Sequence, residues 1–219
     1  MTVGFFTGTK HYYKKEVMST LEVERMNTRI SEIKNMISID PKYNTKIAFL
    51  LDMKIKSGKN RFFVYDLVNN RILDEGLVAH GSGSETGIKG DLKFSNVPNS
   101  RATSLGRYSV EKAYKGIFGK AYKLLGLDQT NNNALKRAIV LHHYSAVPCE
   151  EQDYYISNSQ GCPMVNEEFF NRIERIIICI KSCIINKIKF PSHKRLLQQA
   201  FFEGFHVGDL PLNRVNFII

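Results

Sequence analysis

IAFLLDMKIKSGKNRFFVYDLVNNRILDEGLVAHG, residues 47–81, is the stretch that decides the fold. It contains three apolar, strand-like runs, at 47–53, 61–67 and 71–81, which are separated by the sequences KSGKN and VNN. These separators are typical of turns, because Gly and Asn adopt left-handed backbone conformations at little cost. The stretch therefore predicts a meander of antiparallel strands and a mainly β (α+β) domain.

Helical patterns flank the predicted strands. Ser19 followed by Glu22 has the spacing of a capping box, and the residues after it predict an amphipathic helix from about residue 20 to 38. Downstream, Asn166 is expected to cap a second helix. The apolar face of that helix is predicted to contain Phe169, Ile173, Ile177, Ile180 and Ile184. A shorter helical pattern, KRLLQQAFF, occupies residues 194–202.

Charge and hydropathy exclude several classes of protein. Lys and Arg exceed Asp and Glu by ten, but the basic residues are scattered and no aromatic platform accompanies them, so nucleic acid is not expected as a partner. No transmembrane segment is predicted, because the most apolar run, 176–185, is interrupted by Lys181 and falls short of the roughly 18 residues that a spanning helix needs. The opening MTVGFFTGTKHYYKK shows no signal peptide.

The four cysteines, Cys149, Cys162, Cys179 and Cys183, form no CxxC motif. This argues against a zinc ribbon and against a thioredoxin-like redox site. Cys179 and Cys183 lie four residues apart within an apolar helical pattern and are interpreted as small buried apolar residues.

Cys162 is the candidate nucleophile. It lies in the turn SQGCP, residues 159–163, and the short apolar run that ends at His142 offers an imidazole to take its proton. Such a base is expected to lower the pKa of the thiol below its usual value. Gly161 permits tight backbone geometry, and its amide, with that of Cys162, is a candidate donor to an oxyanion.

The sequence around His142 and Cys162 resembles that of a known family. A histidine is followed further along by Ser159, any residue, Gly161 and Cys162, which is the signature of the YkuD-type L,D-transpeptidases. The resemblance is closest to the murein L,D-transpeptidase catalytic domain branch. It covers about residues 45 to 190 and rests on VYDL (64–67), VAHGSGS (78–84), FSNVPNS (94–100), TSLGRY (103–108), GLDQTNNNA (126–134), RAIVLHHY (137–144) and SQGCP.

The chain also departs from the family pattern. Most relatives carry a small residue where this chain has His143, and His or Trp where it has Gln160. Beyond about residue 190 nothing aligns. We therefore divide the chain into an N-terminal helical arm (1–40), a catalytic domain (41–190) and a C-terminal extension of unknown role (191–219).

The resemblance implies a β-sandwich or small barrel with flanking helices, and acyl transfer through a thioester on Cys162. His142 would act as base and then acid, with the backbone carbonyl of His143 orienting its ring and Ser159 as a further orienting group. Peptidoglycan stem peptides would be the substrates and carbapenem β-lactams covalent inhibitors. No cofactor is implied, and the location is expected to be the cell envelope or periplasm.

Other polar residues are candidates for substrate binding: His80, Ser82, Ser95, Asn96, Ser104 and Arg137. Each has an alternative. His80 could instead anchor its loop, the short polar residues could serve turns, and Arg137 could form a surface ion pair.

No metal site is predicted. His142, His143, Cys149 and Cys162 could supply ligands to zinc, but neighbouring histidines on a strand point to opposite faces.

Three rival functions compete with this interpretation, and the presence of both His142 and Cys162 argues against a role without catalysis. An L,D-carboxypeptidase would share every residue of the acylation step. A catalytically weak wall-binding protein would need only the fold and the positive charge, and a nucleic-acid binder would account for the charge but for none of the motifs.

Overall fold

The computed structural model describes residues 17–40, 42–182 and 214–219. In these described residues two helices and eight strands form the fold, and Ser82–Ser84 form one 3-10 turn. In chain order the elements are α1 (Thr20–Ile39), β1 (Tyr43–Leu51), β2 (Phe62–Asp66), β3 (Arg71–Gly76), β4 (Arg107–Gly116), β5 (Gly119–Gly126), β6 (Val140–His143), β7 (Met164–Val165), α2 (Glu167–Ser182) and β8 (Arg214–Ile218).

All eight strands belong to one mixed sheet with the order β3-β2-β1-β8-β4-β5-β6-β7. The pairs β1–β8 and β6–β7 are parallel, and the other pairs are antiparallel. The chain that leaves β3 then pairs with β7 at the far edge, where the Ala79 amide donates to the Met164 carbonyl over 2.8 Å. The sheet thus curls toward closure. The predicted mainly β fold with flanking helices is confirmed.

Helix α1 lies on one face of the sheet. Its predicted capping box is present, since Ser19 Oγ accepts from the Glu22 amide and the Glu22 carboxylate accepts from the Ser19 amide. Ile30 and Ile33 are buried in a cluster with Ala48, Leu50, Phe63, Tyr65, Leu67 and Ile218. The N-terminal helix therefore packs on the meander.

Helix α2 covers the opposite face. Asn166 Oδ1 accepts from the Phe169 amide over 2.8 Å, which is a side-chain cap at the start of the helix. Phe169, Ile173, Ile177 and Ile180 are buried as predicted, whereas Ile184 and Cys183 lie outside the described residues. Below the helix, edge-to-face aromatic contacts join Phe49, Phe62, Phe169, Phe217 and Tyr108.

The last strand differs from its place in the sequence-based division. Residues 214–218 were assigned to an extension, but β8 lies between β1 and β4 in the middle of the sheet. Phe217 is fully buried and pairs with Phe49 on one side and with Tyr108 on the other. This strand is part of the core that supports the site. The helical pattern at 194–202 lies outside the described residues.

Candidate active site

Strand β6 presents its two histidines to different surroundings. The His142 side chain is 5% exposed, and its ring stacks on Phe118. The His143 ring instead lies 5.4 Å from Phe170 of α2. Since successive residues of a strand face opposite sides, His142 shares a side with Val140, and His143 shares the core side with Leu141.

The imidazole of His142 is held by its own strand. Nδ1 lies 3.0 Å from the backbone carbonyl of His143, and a carbonyl can only accept. Nδ1 therefore carries the proton, which leaves Nε2 as the acceptor in the neutral ring.

The SQGCP turn is fastened by Ser159. Its hydroxyl donates to the Cys162 carbonyl over 2.6 Å and accepts from the Gly161 amide over 3.1 Å. Gly161 has φ +114°, a conformation that favours glycine. The Gly161 amide, expected from the sequence to face an oxyanion, is thus bonded to Ser159 in the free protein.

Cys162 lies against the start of β6. Its Sγ accepts from the Val140 amide over 3.4 Å and donates to the Ala138 carbonyl over 3.7 Å. Within the described residues no hydrogen bond joins Sγ to the His142 imidazole. Val140 and His142 are alternate residues of one strand, which places them about 6.7 Å apart on the same side.

Ala138, whose carbonyl contacts Cys162 Sγ, has an unusual backbone conformation. It has φ +56°, a left-handed conformation that is uncommon for a residue with a Cβ. The carbonyl of Ala138 accepts the hydrogen bond from the Cys162 thiol. Such backbone outliers cluster at functional sites.

The HGSGS loop is locked to the cysteine turn. The Ser159 amide donates to the His80 carbonyl and the Ser82 amide to the Ser159 carbonyl, each over 2.8 Å. A Cβ added at Gly81 would lie 2.7 Å from Gly161 Cα. The two glycines therefore allow the backbones to touch.

His80 is 1% exposed, and both of its ring nitrogens are occupied. Arg61 donates to Nδ1 over 2.9 Å, and Nε2 lies 2.7 Å from Glu85 Oε1. Of the two roles left open by the sequence, this geometry favours the loop anchor over a substrate contact. Ser82 is half-buried at the surface of the same loop.

Arg137 fastens one wall of the site, residues 95–104, which also contacts the HGSGS loop through the hydrogen bond from the Gly83 amide to the Arg101 carbonyl. The Arg137 guanidinium donates to the Ser95 carbonyl over 2.8 Å, to Ser104 Oγ over 3.1 Å, to Ser100 Oγ over 3.3 Å and to the Ala102 carbonyl. The guanidinium of Arg137 thus binds backbone carbonyls and serine hydroxyls, and not the carboxylate of a surface ion pair, which was the alternative from the sequence.

Asn96 connects the wall to the segment after β5. Its Nδ2 donates to the Gln129 carbonyl over 3.0 Å and to Asn132 Oδ1 over 2.7 Å. Ser95 and Asn96 are half-buried and Ser104 is buried, so they differ in their access to a substrate.

Comparison with known proteins decides the family. Residues 17–185 match the L,D-transpeptidase catalytic domain. The chain belongs to the L,D-transpeptidase family. The match includes α1 and ends before β8. No curated protein matches the chain.

In this member of the family the free site holds uncharged groups. Burial raises the pKa of the Cys162 thiol, and the Val140 hydrogen bond and the Arg137 charge only partly oppose this. The depressed thiol pKa expected from the sequence is therefore wrong for the free protein. Burial also lowers the pKa of His142, with the His143 carbonyl opposing that effect and the charge of His143 adding to it. A thiol and a neutral imidazole result.

Sequence reasoning missed Phe118. This residue lies at the tip of the β4–β5 hairpin, and its ring is stacked on that of His142 at 5.1 Å and 19°. The only available signal was an aromatic residue in GIFG, a turn between two strand-like runs. Nothing in that pattern indicates what the tip would cover.

The described part of the chain contains no helix long and apolar enough to cross a membrane. In the same residues Cys149 and Cys162 are free thiols, and Cys149 is exposed.

Proposed function

We propose that the protein is a cysteine-dependent murein L,D-transpeptidase that cross-links peptidoglycan stem peptides, with Cys162 as nucleophile and His142 as base. Its membership of the family supports the substrate class. The observation that carries the residue assignment is the contact of Sγ with the Val140 amide, two residues from His142 on the same side of β6. For the proton to transfer, we propose that the thiol leaves the Ala138 carbonyl and approaches His142 Nε2.

The acylation step follows from these groups. His142 Nε2 takes the thiol proton, and Sγ attacks the carbonyl carbon of the residue before the terminal D-amino acid of the stem. The tetrahedral intermediate collapses by breaking the C–N bond. The D-amino acid leaves with the proton that His142 returns, and the acyl group remains on Cys162 as a thioester.

The second step restores the enzyme. An amine of a neighbouring stem gives a proton to His142 and attacks the thioester carbonyl. The C–S bond breaks, the thiolate takes the proton back, and a new amide joins the two stems. If water replaces the amine, the same site acts as an L,D-carboxypeptidase.

We assign the oxyanion to the backbone of the cysteine turn. The amide of Cys162 is one donor, and the amide of Gly161 can join it only by leaving Ser159 Oγ. Ser159 then has the role of holding the turn in register through the Cys162 carbonyl.

Polar residues on the segments around Cys162 are proposed to bind the peptide stem. Ser82 lies on the loop that touches the cysteine turn, and Ser95, Asn96 and Ser104 lie on the wall that Arg137 fastens. For Arg137 the four contacts support a role in shaping this wall, and for His80 the two ring contacts support anchoring. We propose residues 41–190, completed by β8, as the catalytic domain.

The family is associated with the cell wall. We propose the cell envelope or periplasm as the place of action, where peptidoglycan stems are found.

Intact mass after exposure to a carbapenem tests the nucleophile. A β-lactam acylates a thiol by ring opening, so the expected gain is the mass of one whole carbapenem. Peptide mapping should place it on Cys162. Cys162→Ser should gain none, and Cys149→Ser, which changes an exposed thiol, should react like the parent. An adduct on Cys149, Cys179 or Cys183, or none on folded protein, contradicts the assignment.

Products from tetrapeptide-stem muropeptides test the reaction. Cross-linked dimers are expected. Tripeptide alone would identify a carboxypeptidase, and absence of both products from folded protein would favour a wall-binding role.

A further inference from the structure

The β4–β5 hairpin carries an aromatic ring to the candidate base. Gly116 pairs with Gly119, so the tip consists of Ile117 and Phe118. Gly119 has φ +86°, and a Cβ there would approach His143 Nε2 to 3.2 Å. The hairpin tip therefore lies directly over the end of β6.

The two tip residues differ in what they touch. Ile117 is 93% exposed, whereas Phe118 is 46% exposed because one face of its ring covers His142. Tyr144 makes an edge-to-face contact with Phe118, with the ring centroids 5.5 Å apart and the ring planes at 73°. His142 is thus held at Nδ1 by the His143 carbonyl and on one face by Phe118.

We propose that Phe118 is a positioning residue for His142: its ring fixes the imidazole plane and keeps water off that face, so that Nε2 stays neutral and directed at the thiol. This inference rests on the proposed role of His142 as base. Two constraints, one on an edge and one on a face, leave an imidazole little freedom to rotate.

The charged groups near the imidazole do not account for its neutral state alone. His143 is the titratable neighbour whose charge acts on it. In the pairing of β5 with β6, Ala121 lies opposite His142, and the nearby lysines of β5 make contacts elsewhere. Lys120 pairs with Glu174, and Lys123 lies over the Tyr114 ring. Exclusion of water by burial is the larger effect, and Phe118 supplies part of that cover.

The test compares Phe118→Leu, Phe118→Ala and Phe118→Tyr with Ile117→Ala in the full chain. His142 is titrated by NMR of its ring protons, and carbapenem acylation of Cys162 is measured against pH. In Phe118→Leu and Phe118→Ala the His142 midpoint should move up. Acylation near neutral pH should slow by about two- to tenfold, the scale of one aromatic pair.

Phe118→Tyr should restore both values, and Ile117→Ala should leave both unchanged. An unchanged midpoint, or an unchanged acylation rate, in the Leu and Ala variants overturns the proposal, as does an equal effect of Ile117→Ala. Because Phe118 is half exposed, thermal unfolding is expected to confirm that all variants fold.

The titration separates this inference from the proposed function. If the parent protein is never acylated, the proposed function fails, but the His142 titration midpoint still decides whether Phe118 covers the imidazole. If that midpoint is also unchanged in the Phe118 variants, the proposed function and the role of Phe118 are both rejected.

Discussion

At the scale of single residues, the proposed nucleophile and the proposed base are both uncharged groups. Burial keeps the proton on Cys162, and burial also keeps it off His142. A permanent thiolate–imidazolium pair would react with any electrophile. A neutral pair reacts only when an acyl group is in place and the proton can move.

The two neighbouring histidines should respond differently to substitution. His142→Ala removes the proposed base and should slow acylation of Cys162 by about 10²- to 10⁴-fold. His143→Gly should keep most of the rate, because only the backbone carbonyl of His143 contacts the imidazole. Carbapenem acylation of both folded variants against pH measures this. A normal pH profile in His142→Ala with a dead His143→Gly would move the base by one residue.

Arg137 should act on the thiol through its charge. Its positive charge lowers the pKa of Cys162, in opposition to burial. In Arg137→Gln the pH at which Cys162 reacts with iodoacetamide should therefore rise, and the melting temperature should fall because four acceptors lose their donor.

Two matched variants complete that measurement. Arg137→Lys keeps the charge and should leave the alkylation profile near that of the parent while still lowering the melting temperature. Arg101→Gln changes an exposed arginine of the segment that Arg137 contacts, and it should change neither the alkylation profile nor the melting temperature. A profile that does not move in Arg137→Gln rejects the electrostatic role.

At the scale of elements, β8 and the strands beside it form the centre of the core. Phe217 makes edge-to-face contacts with Phe49, Phe62 and Tyr108 at centroid distances of 5.6 to 6.2 Å. These contacts join β1, β2, β4 and β8, so the ring connects both halves of the sheet.

Truncation of that ring should be costly. Phe217→Ala removes a fully buried side chain and is expected to reduce the free energy of unfolding by about 3–5 kcal/mol. Leu21→Ala, on a side chain of α1 that is 66% exposed, should change it by no more than about 0.5 kcal/mol. Urea unfolding of both variants gives the comparison, and a loss below about 1 kcal/mol for Phe217→Ala would mean that β8 is not part of the cooperative core.

At the scale of the whole molecule, two buried histidines link stability to pH. Burial lowers the pKa of His80, with the Arg61 charge adding to it and Glu85 opposing it, and burial lowers that of His142 as well. The folded state therefore binds fewer protons than the unfolded chain. Their contribution is full above about pH 6.5, the usual histidine value, and is lost as pH falls through the folded-state values.

The free energy of unfolding should thus decline between about pH 7.5 and 5, before the carboxylates titrate. Urea unfolding across this range measures the slope. His142→Gln should flatten it, and Cys149→Ser should not. An unchanged slope in His142→Gln would show that His142 does not contribute to the pH dependence of the free energy of unfolding.

The parts of this molecule that follow a local pattern could be predicted from the sequence. The capping box and apolar spacing placed α1 at 20–38 against Thr20–Ile39, and the turn sequences placed the meander. Strand β8 was missed because RVNFI is short and its neighbours in the sheet are far away in sequence.

The candidate site divides in the same way. The SQGCP turn and the histidine of β6 are visible as motifs. The partners of Arg137 and the stack of Phe118 on His142 are contacts between segments, and they depend on where a loop and a hairpin tip come to rest.

The position of β8 has a consequence for synthesis on the ribosome. The Asn216 side chain donates to the Asn44 carbonyl, a contact that spans 172 residues. Until residues 214–218 have emerged, β1 and β4 each expose an unpaired edge, and the nascent chain holds both halves of its sheet without the strand that joins them. Such a chain is open to edge-to-edge association, so productive folding depends on chaperone protection or on rapid completion of the last strand.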